Sequence, residues 1–308
     1  MTVRNQKPIA RVTSPTEERN GRTKDLDRLS TIEVLRRIND EDQRVPTEVR
    51  EVLPQLALAV DLAVEALRTG RQVHYVGAGT SGRLGVLDAA ELLPTFAVPD
   101  DWFVTHMAGG PEALLRSVED AEDDDQVGYA ELIGAVTAGD LVVGLAASGR
   151  TPYVVGGLRA ARERGAHTAL ITANPNAPEG ERVEVFIPVN TGPEALAGST
   201  RMKAGTAQKL ALNAFSTAVM VRLGRTYSNL MVDVVATNAK LRGRVLGILM
   251  EATGLSEQQC AAALEAAGGE LKTALVSALG GVDPETARDA LSAADGHTHA
   301  ALAALVSQ

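Results

Sequence analysis

Three short stretches of the 308-residue chain bring glycine, hydroxyl and cationic side chains together where a helix would start. They are Gly77-Ala-Gly-Thr-Ser-Gly82, Ala147-Ser-Gly-Arg-Thr-Pro152 and Gly198-Ser-Thr-Arg-Met-Lys203. The first turn of a helix presents unpaired backbone N–H groups and the positive end of the peptide dipole, which suits an anion. Thr80, Ser81, Ser148, Thr151, Ser199 and Thr200 add hydroxyls, Gly149 lies within the second loop, and Lys203 closes the third. For any one loop the plainer reading is capping, worth about 1 kcal/mol. Two such loops at the carboxyl ends of parallel strands, with a third nearby, point instead to a ligand, because open α/β sheets bind ligands there.

The first loop formally matches G-x-G-x-x-G, but a dinucleotide site also needs an acid about twenty residues on, to hold a ribose. The next strand ends His106-Met-Ala-Gly-Gly110, with no acid. A P-loop would need Lys-Ser/Thr after Gly82, where Arg83-Leu84 stand. The loops therefore read as a phosphate pocket without a nucleotide.

Proton-transfer candidates lie close by in sequence. Leu87-Asp-Ala-Ala-Glu91 puts Asp88 and Glu91 at i, i+3 on one helical face. Ser117-Val-Glu-Asp-Ala-Glu122 opens the acidic run 119–125, in which Glu119 and Glu122 share a helical face. Alone, that run reads as a solvated surface and Asp88 as a solvated or capping carboxylate. The five histidines have no metal-ligand spacing, so no metal is expected. Cys260, the one cysteine, excludes an intramolecular disulfide and reads as buried filler in an Ala-rich helix.

The elements needed to position these loops follow from periodicity. Residues 1–27 are polar and aperiodic and read as a mobile arm. Helices are expected from about 29, with Ser30 or Thr31 as cap, and from about Pro46 to Arg68. Strands follow at 73–76, 102–107, 141–146, 167–172 and 183–189. Between and after them come helices at 83–93, 111–119, 126–136, from 148 to about 165, and at 200–223. Alternation of this kind specifies a doubly wound, mainly parallel α/β sheet flanked by helices, here over residues 28–244. The continuous apolar run Leu141–Ala146 marks a strand covered on both faces. Residues 245–308, Ala- and Leu-rich with breaks at Gly254, Gly268-Gly269 and Gly280-Gly281, read as a small all-helical C-terminal bundle, UBA-like in pattern.

Composition narrows the function. With 30 Lys+Arg against 39 Asp+Glu, a net charge of -9 and only four Phe, four Tyr and one Trp, the chain has neither the basic footprint nor the stacking platform of a nucleic-acid binder. An anionic ligand would need a local positive cradle, for which Arg83, Arg150, Arg201, Lys203 and Lys209 are the candidates. The first twenty residues hold no signal-peptide core, and Asp61 interrupts the apolar stretch 52–67. The expectation is a cytoplasmic protein with no membrane partner.

The motifs also carry a resemblance. Gly79-Thr-Ser-Gly82 and Ala147-Ser-Gly-Arg-Thr151 resemble the phosphosugar loops of sugar isomerase (SIS) domains. More specifically, Ile38-Asn-Asp-Glu-Asp42, Gly77–Gly85, Ala146–Tyr153, Ser199–Lys209 and Asn229–Asn238 resemble the N-acetylmuramic acid 6-phosphate etherase family, over about residues 25–300. The resemblance implies a cofactor-independent homodimer, with the pocket near the dimer interface. It also implies a lyase that releases D-lactate and N-acetylglucosamine 6-phosphate in peptidoglycan recycling. By motif match the family's proton-donor glutamate falls on Glu91 and its other active-site glutamate on Glu122; which removes the C2 proton stays open. Ala90-Glu91-Leu92-Leu93-Pro94 departs from the family's usual Ser-Glu-Cys-Pro-Pro but keeps the glutamate. The alternatives are a sugar-phosphate-sensing regulator, as in the related glucokinase regulatory protein, and an aldose–ketose phosphosugar isomerase.

Overall fold

Every residue of the apolar run at 141–145 is buried, and that strand lies at the centre of a five-stranded sheet. The computed structural model describes residues 14–118, 120–234 and 239–307. In chain order the helices and strands are α1 (Thr31–Asp42), α2 (Val45–Glu51), α3 (Leu53–Arg68), β1 (Val73–Gly77), α4 (Gly79–Phe96), β2 (Phe103–Met107), α5 (Glu112–Leu115) and α6 (Asp125–Ala135). They continue with β3 (Leu141–Leu145), α7 (Pro152–Glu163), β4 (His167–Thr172), β5 (Val185–Pro188) and α8 (Lys203–Arg222). A short hairpin follows, β6 (Thr226–Tyr227) and β7 (Leu230–Met231). Five helices end the chain: α9 (Ala239–Thr253), α10 (Glu257–Ala266), α11 (Leu271–Gly280), α12 (Pro284–Ala293) and α13 (Thr298–Val306).

The sheet order is β2-β1-β3-β4-β5. β3 and β4 pair in parallel from Leu141↔His167 to Leu145↔Ile171, and β4 and β5 from Ala169↔Val185 to Thr172↔Pro188. The expected parallel, helix-flanked sheet is thus the observed one. Two compact units make up the chain. One comprises the described residues up to Ala59 with His74–Gly85 and Thr105–Leu212; the other comprises Val60–Val73, Val86–Val104 and the described residues from Asn213 on.

In the first unit, strand alternation sends neighbouring side chains to opposite faces. Val76, Val142 and Leu170 pack with Leu132 of α6 and Val154 and Leu158 of α7. Tyr75 and Leu145 face α4 instead, so closely that a Cβ on Gly85 would lie 2.9 Å from Leu145 Cδ1. Helices α6 and α7 meet backbone to backbone. A Cβ on Gly128 would stand 2.0 Å from the Tyr153 carbonyl oxygen, and one on Gly156 1.9 Å from that of Asp125. Gly156→Ala should therefore force the helices apart and cost about 3 kcal/mol, read as a lowered midpoint in chemical denaturation. An unchanged midpoint would mean that the helices yield freely.

Residues 14–27 depart from the expected mobile arm, whose residues 1–13 lie outside the described residues. They make three short 3₁₀ turns, with Ser14, Thr16, Asn20 and Thr23 buried. Thr23 Oγ1 donates to the Ala195 carbonyl at 2.8 Å, and the Gly198 N–H donates to the Thr16 carbonyl at 2.9 Å. The helix expected at 46–68 breaks at Val52 into α2 and α3. That expected at 111–119 shrinks to the single turn α5.

In the second unit, Val232, Val245, Leu249, Cys260, Leu271 and Leu275 make one core, and Val276, Ala287, Leu291 and Ala301 a smaller one among α11, α12 and α13. The C-terminal bundle is helical as expected, while the two-residue strands of the preceding hairpin are too short to show in a periodicity. Among the described residues no helix is long and apolar enough to cross a membrane.

Candidate active site

An order of 2-1-3-4-5 reverses between the first and third strands, and the crevice at their carboxyl ends is where such sheets bind ligands. The first two glycine loops leave β1 and β3 at that reversal.

The loop after β1 is shaped by glycine contact. A Cβ on Gly77 would lie 2.7 Å from Gly82 Cα, and one on Gly82 2.8 Å from the Gly77 carbonyl and 2.3 Å from Met107 Sδ. Close approach therefore explains the spacing that resembled a nucleotide motif. Helix α4 begins at Gly79, earlier than the sequence suggested, so Thr80 and Ser81 lie in its first turn. Buried Ser81 donates its hydroxyl to Gln208 Oε1 of α8 at 2.7 Å, and Thr80 Cγ2 is positioned to touch a Cβ placed on Gly205, also of α8. The Ser81 hydroxyl hydrogen is thus committed within the protein.

The loop after β3 holds Gly149 at φ +66, a left-handed conformation suited to glycine, with Ala177 Cβ 2.3 Å from where a Cβ would be. Asn174 Nδ2 donates to the Ser148 carbonyl at 3.0 Å, and Thr172 Oγ1 to that of Ala147 at 3.0 Å, fixing the loop from β4. Ser148 Oγ accepts from the Arg150 N–H at 3.3 Å. Thr151 is the N-cap residue of α7, with Pro152 after it, yet its side chain makes no capping hydrogen bond. The capping explanation fails for the residue it suited best.

The third loop differs from expectation. The Lys203 and Ala204 N–H groups at the start of α8 both donate to the buried Glu194 carboxylate, at 2.9 Å each. Burial raises the pKa of Glu194, opposed by these N–H donors. Lys203 Nζ is buried and reaches Glu41 Oε2 at 2.8 Å, and Arg22 grips the same carboxylate. The helix start is occupied by the protein's own carboxylate and the ammonium is neutralised, because two acids distant in sequence fold onto them. Ser199 and Thr200 stay half-buried in the loop. Arg83 is committed too, donating to the Leu114 and Arg116 carbonyls at 3.2 Å each. Of the five cationic candidates, Arg83 and Lys203 are thus engaged within the protein, while Arg150 and Arg201 are exposed.

A cavity of about 400 Å³ opens beside the first loop, lined by Gly79, Arg83, Met107, Ser117, Asp120 and Glu122 among others. That volume accommodates a small ligand. Glu122 is exposed and sits in a 3₁₀ turn, Ala121–Asp123, between the helices expected at 111–119 and 126–136. Asp120 before it takes a left-handed φ of +63, which ends any helical path. Glu119 lies outside the described residues. Glu91 stands on the exposed side of α4, in the second unit. Asp88 is not solvated: it is buried and accepts from Ser216 Oγ at 3.1 Å. Among the described residues no three His, Cys, Asp or Glu side chains converge as a metal site.

A parallel 2-1-3-4-5 sheet with two glycine-rich, hydroxyl-bearing loops at its switch point is the architecture of an SIS domain. Models of the glucokinase regulatory protein N-terminal SIS domain and of the SIS domain match residues 55–162 and 118–218. A phosphoheptose isomerase from Francisella tularensis superposes with a TM-score of 0.52 at 14% identity, covering 62% of this chain and 98% of that one, which supports the fold. At the sequence level, the N-acetylmuramic acid 6-phosphate etherase of Thermobifida fusca (strain YX) is 61% identical, covering 88% of this chain and 89% of its own. That of Serratia proteamaculans (strain 568) is 53% identical over 93% and 97%. The chain belongs to the N-acetylmuramic acid 6-phosphate etherase family, a family of enzymes.

Proposed function

We propose that the protein cleaves the C3 lactyl ether of N-acetylmuramic acid 6-phosphate, giving N-acetylglucosamine 6-phosphate and D-lactate. The observation that carries this reading is the cavity beside the first glycine loop, with Gly79 at the start of α4 and Glu122 both on its wall. The 61% identity to a relative of that name supports the substrate.

In the ring-opened sugar, the C1 aldehyde acidifies the C2 proton. A carboxylate removes it, the C3–O bond breaks as the lactyl oxygen gains a proton, and water then adds to the unsaturated aldehyde at C3. The net reaction consumes one water. A lactate alkoxide leaves poorly, so general acid help is worth roughly 10²–10⁴-fold. Glu91 acts as the proton donor and Glu122 as the second acid/base group. Phosphate is received by the N–H groups of the first two loops, with Thr80, Ser148 and Thr151 hydroxyls around it. Ser199 and Thr200 would reach it from the third loop, and Lys203 acts by holding that loop in place. The reaction class is a carbon–oxygen lyase that needs no cofactor. The protein works as a cytoplasmic homodimer in cell-wall sugar recycling, with the pocket completed near the dimer interface.

Incubating purified protein with the muramic acid phosphate should release D-lactate stoichiometrically with N-acetylglucosamine 6-phosphate. A ketose phosphate without lactate would establish an isomerase instead. Binding without turnover would establish a sensor.

A further inference from the structure

Four titratable side chains and one phenol form a connected chain in the first unit that the proposed chemistry does not use. Tyr153 OH donates to Glu131 Oε2 at 2.5 Å, and His106 Nδ1 lies 2.9 Å from Glu131 Oε1. His106 Nε2 lies 3.0 Å from His74 Nδ1, and His74 Nε2 lies 3.5 Å from Asp140 Oδ2 without making a hydrogen bond. An ionised carboxylate only accepts, so the network assigns the hydrogen on His106 Nδ1. Its Nε2 and His74 Nδ1 then share one hydrogen between them. Burial, then the neighbouring His106, lowers the His74 pKa to about 4, so its ring is neutral at pH 7.

The chain converges on Glu131, and Glu131 joins the three elements that carry the walls of the site. It lies on α6, which starts three residues after Glu122, and the turn holding Glu122 packs on α7. Tyr153 is the second residue of α7, two after Thr151 of the phosphate loop. His106 precedes Met107 and Ala108, which line the cavity. Glycine contacts bring α6 and α7 together. Two directional hydrogen bonds to one carboxylate, from β2 and from α7, set a register. Burial raises the Glu131 pKa, but the His106 and Tyr153 hydrogen bonds outweigh it and lower it, keeping the acceptor charged.

We propose that Glu131 is a positioning residue: bridging His106 and Tyr153, it holds the turn carrying Glu122 in register with the loop that takes the phosphate. This rests on the functional reading given for Glu122 and that loop.

The test measures D-lactate release by Glu131→Gln and Tyr153→Phe beside the wild type, together with the Kd for N-acetylglucosamine 6-phosphate and the melting temperature. A displacement of about 1 Å costs up to 10²-fold in rate, so Glu131→Gln should lower kcat by roughly 10–100-fold. Its Kd should change by less than about threefold, because the phosphate loop itself is intact. Tyr153→Phe should fall between it and wild type, and the double variant should be no slower than Glu131→Gln alone, as expected for residues acting as a unit. Wild-type kcat in Glu131→Gln at a temperature where it is folded would overturn the proposal, whatever happens to its melting. If Glu131→Gln does not fold, wild-type kcat in Tyr153→Phe has the same force. Wild-type protein that releases no lactate would overturn the etherase reading, and this proposal with it.

Discussion

Glu122→Gln is expected to reduce D-lactate release by roughly 10²–10⁴-fold while leaving the melting temperature and the affinity for N-acetylglucosamine 6-phosphate close to wild type. The exposed carboxylate lines the cavity, in a turn that follows the left-handed Asp120. Glutamine keeps the size and loses only the ability to exchange a proton. Glu91→Gln should be similarly slow, and deuterium exchange separates the two roles. In heavy water the C2 proton of unreacted substrate is replaced whenever the base works, even if the ether cannot leave. With Glu91 as proton donor and Glu122 as base, Glu91→Gln should retain exchange without lactate and Glu122→Gln should lose both. The opposite pattern would exchange the roles; full lactate release by either variant would remove that residue from the chemistry.

The parts of the molecule legible in the sequence are those specified by local pattern. The apolar run 141–145 announces a covered strand, and the glycine pair 77 and 82 announces a tight strand-to-helix turn. Their positions place two glycine- and hydroxyl-bearing loops at the switch point. What could not be read depends on partners remote in the chain. Gly198–Lys203 has the local chemistry of an anion site, and nothing within it shows that Glu194 takes its N–H groups or that Glu41, 162 residues away, takes the ammonium. The motif Ile38–Asp42 was visible without a role; its fourth residue is the carboxylate that Lys203 needs. Glu131, His74 and His106 carry no motif, because their chain is assembled from two strands and a helix.

That remote pairing should govern stability. Glu41→Gln takes from the buried Lys203 ammonium the carboxylate it is hydrogen-bonded to, leaving only the charges of Asp42 and Glu194 near it, and Lys203→Met leaves Glu41 with Arg22, whose own side chain is half exposed. Removing one partner of a buried pair costs about 3–5 kcal/mol, whereas replacing both by neutral groups is often nearly neutral. Glu41→Gln should therefore lose about 3–5 kcal/mol in chemical denaturation and Lys203→Met less, since Arg22 still pairs Glu41, and the double variant should recover most of the larger loss. Losses that simply add would refute the pairing. The pH dependence has a definite sign. The Arg22 hydrogen bond, opposed by burial and aided by Lys203, lowers the Glu41 pKa from 4.5 to about 2. A depressed carboxylate contributes stability that is complete above its unfolded pKa and lost as pH falls through the folded one. This contribution should fade between pH 4.5 and about 2 in wild type and be absent from that window in Glu41→Gln. Glu194, raised by burial, acts in the opposite sense above its ordinary value. Subtracting the Glu41→Gln curve from the wild-type curve cancels Glu194, present in both, and leaves Glu41 together with its effect on Asp42, whose pKa burial and the Glu41 charge raise against Lys203. A difference curve flat from pH 4.5 to 2 would show that the carboxylate is not held charged by its two cations.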